Sequence, residues 1–421
     1  MWTRKKQFIL LCMIPVYFLI AGLSLQSLSS IKQGLIKIFQ EPDFLITDYM
    51  AVGGIGAALV NASLLTLVCI SIIYILGMKV SGQTITSAFM MFGFSLFGKN
   101  LINIWAILIG VFLYARYLKY SLANYIYIGF YGTSLSPLIM QVMQMKGFTP
   151  IEGLLTGGVL GIAIGFILPP LVEHVRVSHK GYSLYNVGFA SGIMATIIVS
   201  LMKSLGMQIQ TRLIWHTGTN EIFEILLLLL FVGIIVAGII HSPKESYFAY
   251  KKILKSSGIG GTDYLKEVGF PAVLINIGVN GLIASIFVIA VGGDLNGPTI
   301  GGIMTIAGFG ATGKHIRNIV PVMAGVYLAS IIELWDITAP SALLAMLFST
   351  TLAPIAGEFG ILPGLVAGFL HSSVALNVGI LYEGMNLYNN GFAGGIIATF
   401  MVPTLQAARK STSREKKGGY I

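Results

Sequence analysis

The chain has 421 residues, of which 55% are hydrophobic and 10% are charged, and its formal net charge is +10. A soluble protein of this length would form two or three domains, each with a polar surface. This chain has too few charged residues to cover such domains. The composition excludes that class and predicts a membrane protein. Because the positive residues cluster beside apolar segments, which is a topology signal, we expect no nucleic-acid partner.

Apolar segments recur along the chain from its first residues onward. Most reach the roughly 20 residues that an α-helix needs to cross a hydrocarbon layer about 30 Å thick. The first follows a basic start but has no clear small-x-small cleavage site, so we interpret it as a retained helix. The predicted segments are 8–28, 52–77, 83–97, 101–115, 123–143, 153–172 and 184–202, then 222–240, 268–293, 298–312, 319–332, 341–356, 361–381 and 387–404. The predicted fold class is an all-α polytopic membrane protein with about seven apolar segments in each half.

The two halves of the chain are related by duplication. Residues 46–115 align without a gap to residues 261–330, with 21 of 70 positions identical, and residues 181–197 match residues 384–400 at 11 of 17 positions. The chain then divides into a first repeat (1–210), a leading helix of the second repeat with a basic loop (211–260), the remainder of that repeat (261–405) and a basic tail (406–421).

An odd number of crossings in each half predicts that the second repeat is inverted relative to the first. With the N-terminus inside, 20 of the 26 Lys and Arg residues fall on the cytoplasmic side and 6 on the other, as the positive-inside rule requires, and both termini are cytoplasmic. Segments 83–97 and 298–312 have only about 15 residues, or roughly 22 Å of helix, so they are crossing helices, half-helices or re-entrant segments. Losing one crossing per half would make the repeats parallel, and the charge distribution favours inversion.

Polar residues that recur in both halves are the candidate site. Inverted repeats bring equivalent groups together near the middle of the membrane, where transporters bind their solutes. The substrate-pathway candidates are Asn61, Thr84, Lys99, Asn103, Tyr185 and Asn186, with their counterparts Asn276, Thr299, Lys314, Asn318, Tyr388 and Asn389.

Each of these pairs has a functional and a structural interpretation. Thr84 and Thr299 begin Gly-rich segments, either as half-helices whose N–H groups face a substrate or as tightly packed helices. The asparagines in apolar runs pair with another helix, with broken backbone or with a substrate, because an unpaired amide in hydrocarbon is unfavourable. The two Tyr-Asn pairs either line a site or cap the helices that they open.

Lys99 and Lys314 follow the two short segments. They either complement helix C-terminal dipoles, anchor the protein at the membrane interface or attract an anion. Because the predicted topology puts them on opposite faces, we expect them at the mouths of a pathway and not at its centre.

Signals for an enzyme are weak. His174 and His179 are five residues apart, which is not the His-Glu-x-x-His spacing of zinc hydrolases, and "GATGKH" is an incomplete phosphate-binding loop. Cys12 and Cys69 lie in apolar runs and indicate neither a disulfide framework nor a metal site. We predict no catalytic residue, no cofactor and no bound metal.

Short motifs in both halves resemble a known family. Gly98-Lys99-Asn100, Asn103-Ile104 and the two Leu-Tyr-Asn-x-Gly-Phe-Ala lines are similar to an uncharacterised family of prokaryotic polytopic membrane proteins, catalogued as a domain of unknown function. A fold-level likeness is to urea transporters, which have duplicated, inverted halves and Tyr-Asn-Gly pore motifs, although one extra residue stands before the glycine here. The first resemblance implies a prokaryotic cytoplasmic (inner) membrane protein and supplies no substrate.

The predicted function is a transporter or channel that moves a small polar solute or ion between two inverted repeats in the lipid bilayer. The alternative is an integral membrane enzyme or a structural membrane scaffold. Assembly into a homo-oligomer is compatible with either. Water contact at the paired polar residues would favour a pathway, whereas a scaffold would keep them dry.

Overall fold

The structure, a computed structural model, describes residues 3–418 except 146, 210, 242, 333 and 334, with the backbone alone at 241 and 412–418. Residues 419–421 of the predicted basic tail lie outside the described residues. Every regular element in the described part of the chain is a helix, which confirms the predicted all-α fold class.

Each half of the chain contains ten α-helices in the same order, counted over the described residues. The first ten are α1 (Arg4–Leu25), α2 (Leu28–Gln40), α3 (Tyr49–Gly53), α4 (Ile55–Ile75), α5 (Gly82–Phe94), α6 (Trp105–Tyr117), α7 (Ile126–Gly132), α8 (Ser136–Met143), α9 (Pro150–His179) and α10 (Asn186–Ser204). The second ten are α11 (Asn220–His241), α12 (Pro243–Ile253), α13 (Tyr264–Val268), α14 (Phe270–Ala290), α15 (Gly297–Gly308), α16 (Ile316–Ile332), α17 (Pro340–Ser349), α18 (Ala353–Phe359), α19 (Ile361–Val378) and α20 (Asn389–Gly418).

Nine stretches within the described residues are long and apolar enough to cross a membrane. They are α1, α4, α9, α10, α11, α14, the α17–α18 pair, α19 with the turn that follows it, and α20; α6 and α16 are shorter apolar helices. The chain is therefore a multi-pass membrane protein. Helices α1 and α11 are exposed along most of their apolar length, as contact with lipid requires.

Equivalent helices pack in equivalent ways in the two halves. Helix α1 packs on α4 as α11 packs on α14, and α6 packs on α9 as α16 packs on α19. The halves meet where α5 packs on α15 and where α10 packs on α20. The site candidates lie at or beside these two contacts.

Two segments that the sequence predicts as continuous helices are each interrupted by a 3-10 turn. Segment 123–143 forms α7, a 3-10 turn at Thr133–Leu135 and α8, and segment 341–356 forms α17, a 3-10 turn at Thr350–Leu352 and α18. A proline is the second residue of α8 and of α18, where its missing N–H costs nothing, whereas it would interrupt a continuous helix. The amphipathic helices α2 and α12 are further elements that the apolar segments did not predict.

Helices α5 and α15 are antiparallel neighbours of 13 and 12 residues. Their backbones touch where a Cβ atom on Gly93 would lie 2.8 Å from the carbonyl oxygen of Gly301. At the other end of the contact, the hydroxyl of Thr86 donates to the carbonyl oxygen of Gly308 at 2.9 Å. Because they rise only about 20 Å, these helices are shorter than the hydrocarbon layer, and nearly all of their residues are buried in protein.

Helices α10 and α20 cross close to their first turns. A Cβ atom added to Gly391 would lie 2.8 Å from the Cα atom of Gly188, so the two backbones are in contact. Small residues allow such contacts between membrane helices, which are held mainly by close packing.

We expect Gly391→Ala to destabilise the protein by about 1–3 kcal/mol, because the new methyl group meets backbone that cannot move aside without shifting α10. The measurement is thermal unfolding of the purified protein in detergent. Gly158→Ala is the matched control, since a Cβ atom there meets open space. Equal unfolding temperatures for the two variants would contradict close packing at the crossing.

Candidate functional site

The start of α5 is capped by groups from both halves of the chain. Ser81 and Thr84 form a capping box, in which each side chain accepts a hydrogen bond from the other residue's backbone N–H. The backbone N–H of Gly82 donates to Oδ1 of Asp263 at 3.1 Å. The Thr84 hydroxyl also lies 2.7 Å from that of Tyr127. Protein acceptors therefore occupy N–H groups that the sequence suggested for a substrate.

The start of α15 repeats this arrangement with the halves exchanged. Asn296 and Thr299 form the capping box, and the N–H of Gly297 donates to Asp48. Asp48 precedes α3, outside the spanning helices, and also accepts from the backbone N–H groups of Met50 and His216. Burial raises the pKa of this carboxyl group to about 7, against the lowering effect of its N–H donors.

Asn61 binds the backbone that leaves α5. Its Nδ2 donates to the carbonyl oxygens of Ser95 and Lys99 at 2.8 and 2.9 Å, and the residue is fully buried. Irregular backbone inside a membrane protein must find such donors, because no water is present to bind its carbonyl groups.

Asn276 has the same role after α15. Its Nδ2 donates to the carbonyl oxygens of Gly310 and Lys314, both at 2.7 Å, and Asn280 adds a second donor to Lys314 at 3.1 Å. The structure therefore assigns both asparagines contacts with broken backbone, one of the roles anticipated for them.

Asn103 and Asn318 stabilise the turns that follow. The Nδ2 of Asn103 donates to the carbonyl oxygen of Gly98 at 3.0 Å, and that of Asn318 donates to Gly313 at 2.9 Å. Both glycines have positive φ, at 114° and 151°, which is a conformation that other residues rarely adopt. These amides hold the Gly-Lys turns in place.

Asn186 and Asn389 connect the starts of α10 and α20 to the preceding long helices. The Nδ2 of Asn186 donates to the carbonyl oxygen of Val172 and that of Asn389 to Ala375, both at 2.9 Å. Their Oδ1 atoms contact the His179 ring and the Tyr382 hydroxyl. Each amide therefore stabilises a junction within its own half.

Lys99 is fully buried, and its Nζ contacts groups from both halves. It donates to the hydroxyl of Tyr388 at 2.8 Å and to the carbonyl oxygen of Phe130 at 3.1 Å. The ammonium group also lies 4.7 Å from the centroid of the Tyr388 ring, a cation–π distance.

Lys314 makes the reciprocal contacts. It is fully buried, and its Nζ donates to the hydroxyl of Tyr185 and to Oγ1 of Thr350, the latter at 2.7 Å. Its ammonium group lies 4.5 and 5.0 Å from the ring centroids of Tyr185 and Phe309. Each lysine of one half thus binds a tyrosine of the other.

The expectation that the lysines lie at opposite mouths of a pathway is wrong. Both are 0% exposed, and their tyrosine partners stand directly before the α10–α20 crossing. Among the described residues, no carboxylate lies within ion-pairing distance of either ammonium group. Two buried lysines therefore share one region of the protein with neutral partners.

The α10–α20 crossing lies halfway between the two surfaces of the protein. Near the end of α10, Lys203 forms an ion pair with Glu383. Late in α20, the side chain of Gln406 accepts a hydrogen bond from Lys180. Each of these contacts is 15 residues from the crossing, or about 22 Å of helix, and the two helices run in opposite directions. The total is close to the thickness of a bilayer with its headgroups, about 40–45 Å, and the tyrosines lie about halfway along it.

A cavity of about 590 Å³ leads from one surface to these tyrosines. Its outer part carries charged groups, and its floor is aromatic and apolar. The charged lining residues are Glu173, Arg176, Asp263 and Lys266, and the inner lining residues are Met90, Tyr131, Leu184, Tyr185, Phe309 and Tyr388. Of the sequence candidates, Tyr185, Asn186 and Tyr388 line the cavity.

On the other side of the tyrosines the space is closed. The Phe94 ring packs on Phe348 and Tyr388, with ring centroids 5.4 and 4.4 Å apart, and Leu387 completes a remnant space of about 10 Å³. The repeat equivalents of Phe94, Phe348 and Leu387 are Phe309, Tyr131 and Leu184. All three equivalents line the open cavity, so related residues close one side and line the opening on the other.

Sequence reasoning did not identify these aromatic residues as site residues. The repeated Gly-Phe dipeptides at 93–94 and 308–309 are visible in the ungapped alignment and were a usable signal. Tyr131 and Phe348 differ in type and lie in the gapped part of the repeat, so only the structure pairs them. The repeated aspartates at 48 and 263 were visible, but their contacts across the halves were not.

A protein-family model matches residues 27–204 and 242–407, which is well over half of the chain. The chain belongs to that family. Its description is a protein of unknown function, DUF1576, in agreement with the resemblance seen in the sequence motifs. No curated protein and no solved structure matches the chain.

We expect Asn276→Leu to lower the free energy of unfolding by about 1–3 kcal/mol, because the carbonyl group of Gly310 loses the donor that Asn276 supplies and that of Lys314 keeps only the one from Asn280. Thermal unfolding in detergent measures the loss. Asn377→Leu is the control, because the amide of Asn377 is exposed and bonds only within its own helix. Similar stability of both variants would contradict the structural role.

Proposed function

We propose that the protein is a membrane transporter for a small polar solute or ion, built from two inverted repeats that open alternately to the two sides of the membrane. One observation carries the proposal: the cavity ends at Tyr185 and Tyr388, while the repeat equivalents of its lining residues form the closed side beyond them. Inverted repeats that adopt two different local conformations produce this asymmetry, and exchange of those conformations moves the opening to the other face.

The antiparallel packing of α5 on α15 and of α10 on α20 supports inversion, since equivalent helices of parallel repeats would point the same way. The reciprocal lysine–tyrosine contacts support a pseudo-twofold axis between the halves. We propose a site between the halves, as in other transporters with this organisation.

The positive residues give the proposed orientation. Arg176, Lys266 and Lys180 lie at the side on which the cavity opens, and the predicted topology gives this side the excess of basic residues. By the positive-inside rule this side is cytoplasmic, with both termini there, in the inner membrane of a prokaryote. The conformation described is then open to the cytoplasm.

Closure on one side favours a transporter over a channel. A channel needs a continuous path in its conducting state, whereas a transporter encloses its solute between two gates. Phe94 and Phe348 would form the outer gate, and Phe309 and Tyr131 the inner one. A membrane enzyme or a scaffold has no need for two equivalent gates.

The orientation of the repeats is tested by cysteine labelling at Ala51 and Lys266, which are exposed and occupy equivalent repeat positions. In a background of Cys12→Ala and Cys69→Ala, we expect Ala51→Cys to react with an impermeant maleimide from outside and Lys266→Cys from inside. Reaction of both from the same side would contradict the inverted organisation.

Alternating access is tested at Leu184 and Leu387 in the same background. We expect Leu184→Cys to be labelled from the cytoplasmic side and Leu387→Cys to react slowly from the outside. Adding Phe94→Ala should increase labelling of Leu387→Cys roughly tenfold, because an aromatic pair contributes about 0.5–1.5 kcal/mol beyond its buried area.

The matched control is Phe309→Ala, which removes the equivalent ring from the open side and should leave outside labelling of Leu387→Cys unchanged. A scaffold or enzyme with a static cavity predicts no response to Phe94→Ala. Labelling of Leu184→Cys and Leu387→Cys from the same side would also contradict alternating access.

A further inference from the structure

We propose that the transported solute is a small organic carboxylate, bound between the halves by the tyrosine hydroxyls that Lys99 and Lys314 contact. This inference rests on the proposed transport function and names the substrate class of the same site. It begins from the two buried lysines, which have only neutral partners among the described residues.

Burial disfavours the charged form of both lysines, and a nearby anion would favour it. Moving an ammonium group from water into a low-dielectric interior costs several kcal/mol unless an opposite charge or strong hydrogen bonds compensate. Carbonyl and hydroxyl oxygens accept two hydrogen bonds from each of Lys99 and Lys314, but they bring no negative charge. An anion that enters the cavity would supply that charge for both lysines.

The hydroxyl group of Tyr388 provides a donor for such an anion. When Lys99 is protonated its ammonium group only donates, so the Tyr388 oxygen accepts from it and the O–H proton of Tyr388 is left for another acceptor. No acceptor for that proton is found within the described part of the chain. A hydroxyl group polarised by an adjacent cation is a stronger donor than a free one, so it suits a carboxylate oxygen.

The rest of the cavity floor favours an organic anion. Met90, Phe309 and the tyrosine rings offer apolar surface and few further hydrogen bonds. A small inorganic anion would lose its hydration there and would gain few hydrogen bonds from the protein. A carboxylate on an apolar or aromatic body places its charge near the hydroxyl groups and its body against the rings, as most small-molecule sites do.

The test uses the purified full-length protein in detergent, with potassium benzoate as the probe. We expect benzoate to raise the unfolding temperature in a saturable way, as a ligand of the folded state does. Benzamide, which has the same shape without the charge, and potassium chloride or phosphate at equal ionic strength should have no such effect.

The variants locate the site. Lys99→Met and Lys314→Met should each weaken the apparent benzoate affinity at least tenfold, while Lys203→Met, which changes an exposed lysine at the surface, should not. If the buried-lysine variants do not fold, Tyr388→Phe keeps the ring, removes the donor and should weaken binding several-fold.

Equal stabilisation by benzamide, or benzoate affinity that is unchanged in Tyr388→Phe and in the lysine variants that fold, would overturn the carboxylate site. Saturable stabilisation by chloride or phosphate alone would overturn the organic class. Carboxylate binding without alternating labelling at Leu184 and Leu387 would keep the site and remove transport. Alternating labelling without carboxylate binding would remove the site and keep transport.

Discussion

The fold depends on one constraint: backbone that leaves a helix inside the membrane must find hydrogen-bond partners in the protein. Helices α5 and α15 end in the interior, and the irregular backbone that follows each of them needs donors from the protein. Asn61 and Asn276 supply the donors, while Asp48 and Asp263 satisfy N–H groups at the opposite ends of these helices. Because each aspartate caps the short helix of the other half, neither half completes this arrangement alone.

The position of the buried lysines follows from the same constraint. A Gly-Lys turn after each short helix, held by Asn103 or Asn318, directs a lysine toward the other half. The glycine contact between α10 and α20 brings the partner tyrosines to the same depth. Packing that satisfies broken backbone thus also gathers two buried lysines and two hydroxyl groups beside the α10–α20 crossing. Those groups are the chemical feature on which the proposed anion site rests.

Duplication predicted much of the candidate site, because it marked which polar residues recur. The structure distributes them over different tasks: the asparagines hold the backbone, the threonines cap helices, and Tyr185 and Tyr388 face the cavity. Repetition alone could not separate these tasks, since duplication preserves structural and functional residues alike. The interfacial interpretation of Lys99 and Lys314 failed for a related reason. A lysine near the end of an apolar segment has the same local pattern whether it points to the membrane surface or to a neighbouring helix.

The sequence by itself determined that this is an all-helical membrane protein made of two related halves, because hydrophobic segment length and internal repetition are properties of the linear chain. Only the tertiary structure decided which segments break, how deep the lysines lie and which side of the tyrosines is open. Those features depend on contacts between residues far apart in the chain, such as Lys99 with Tyr388 and Gly82 with Asp263. The free energy of such a contact comes from burial and from partners that the other half supplies, so no local pattern encodes it.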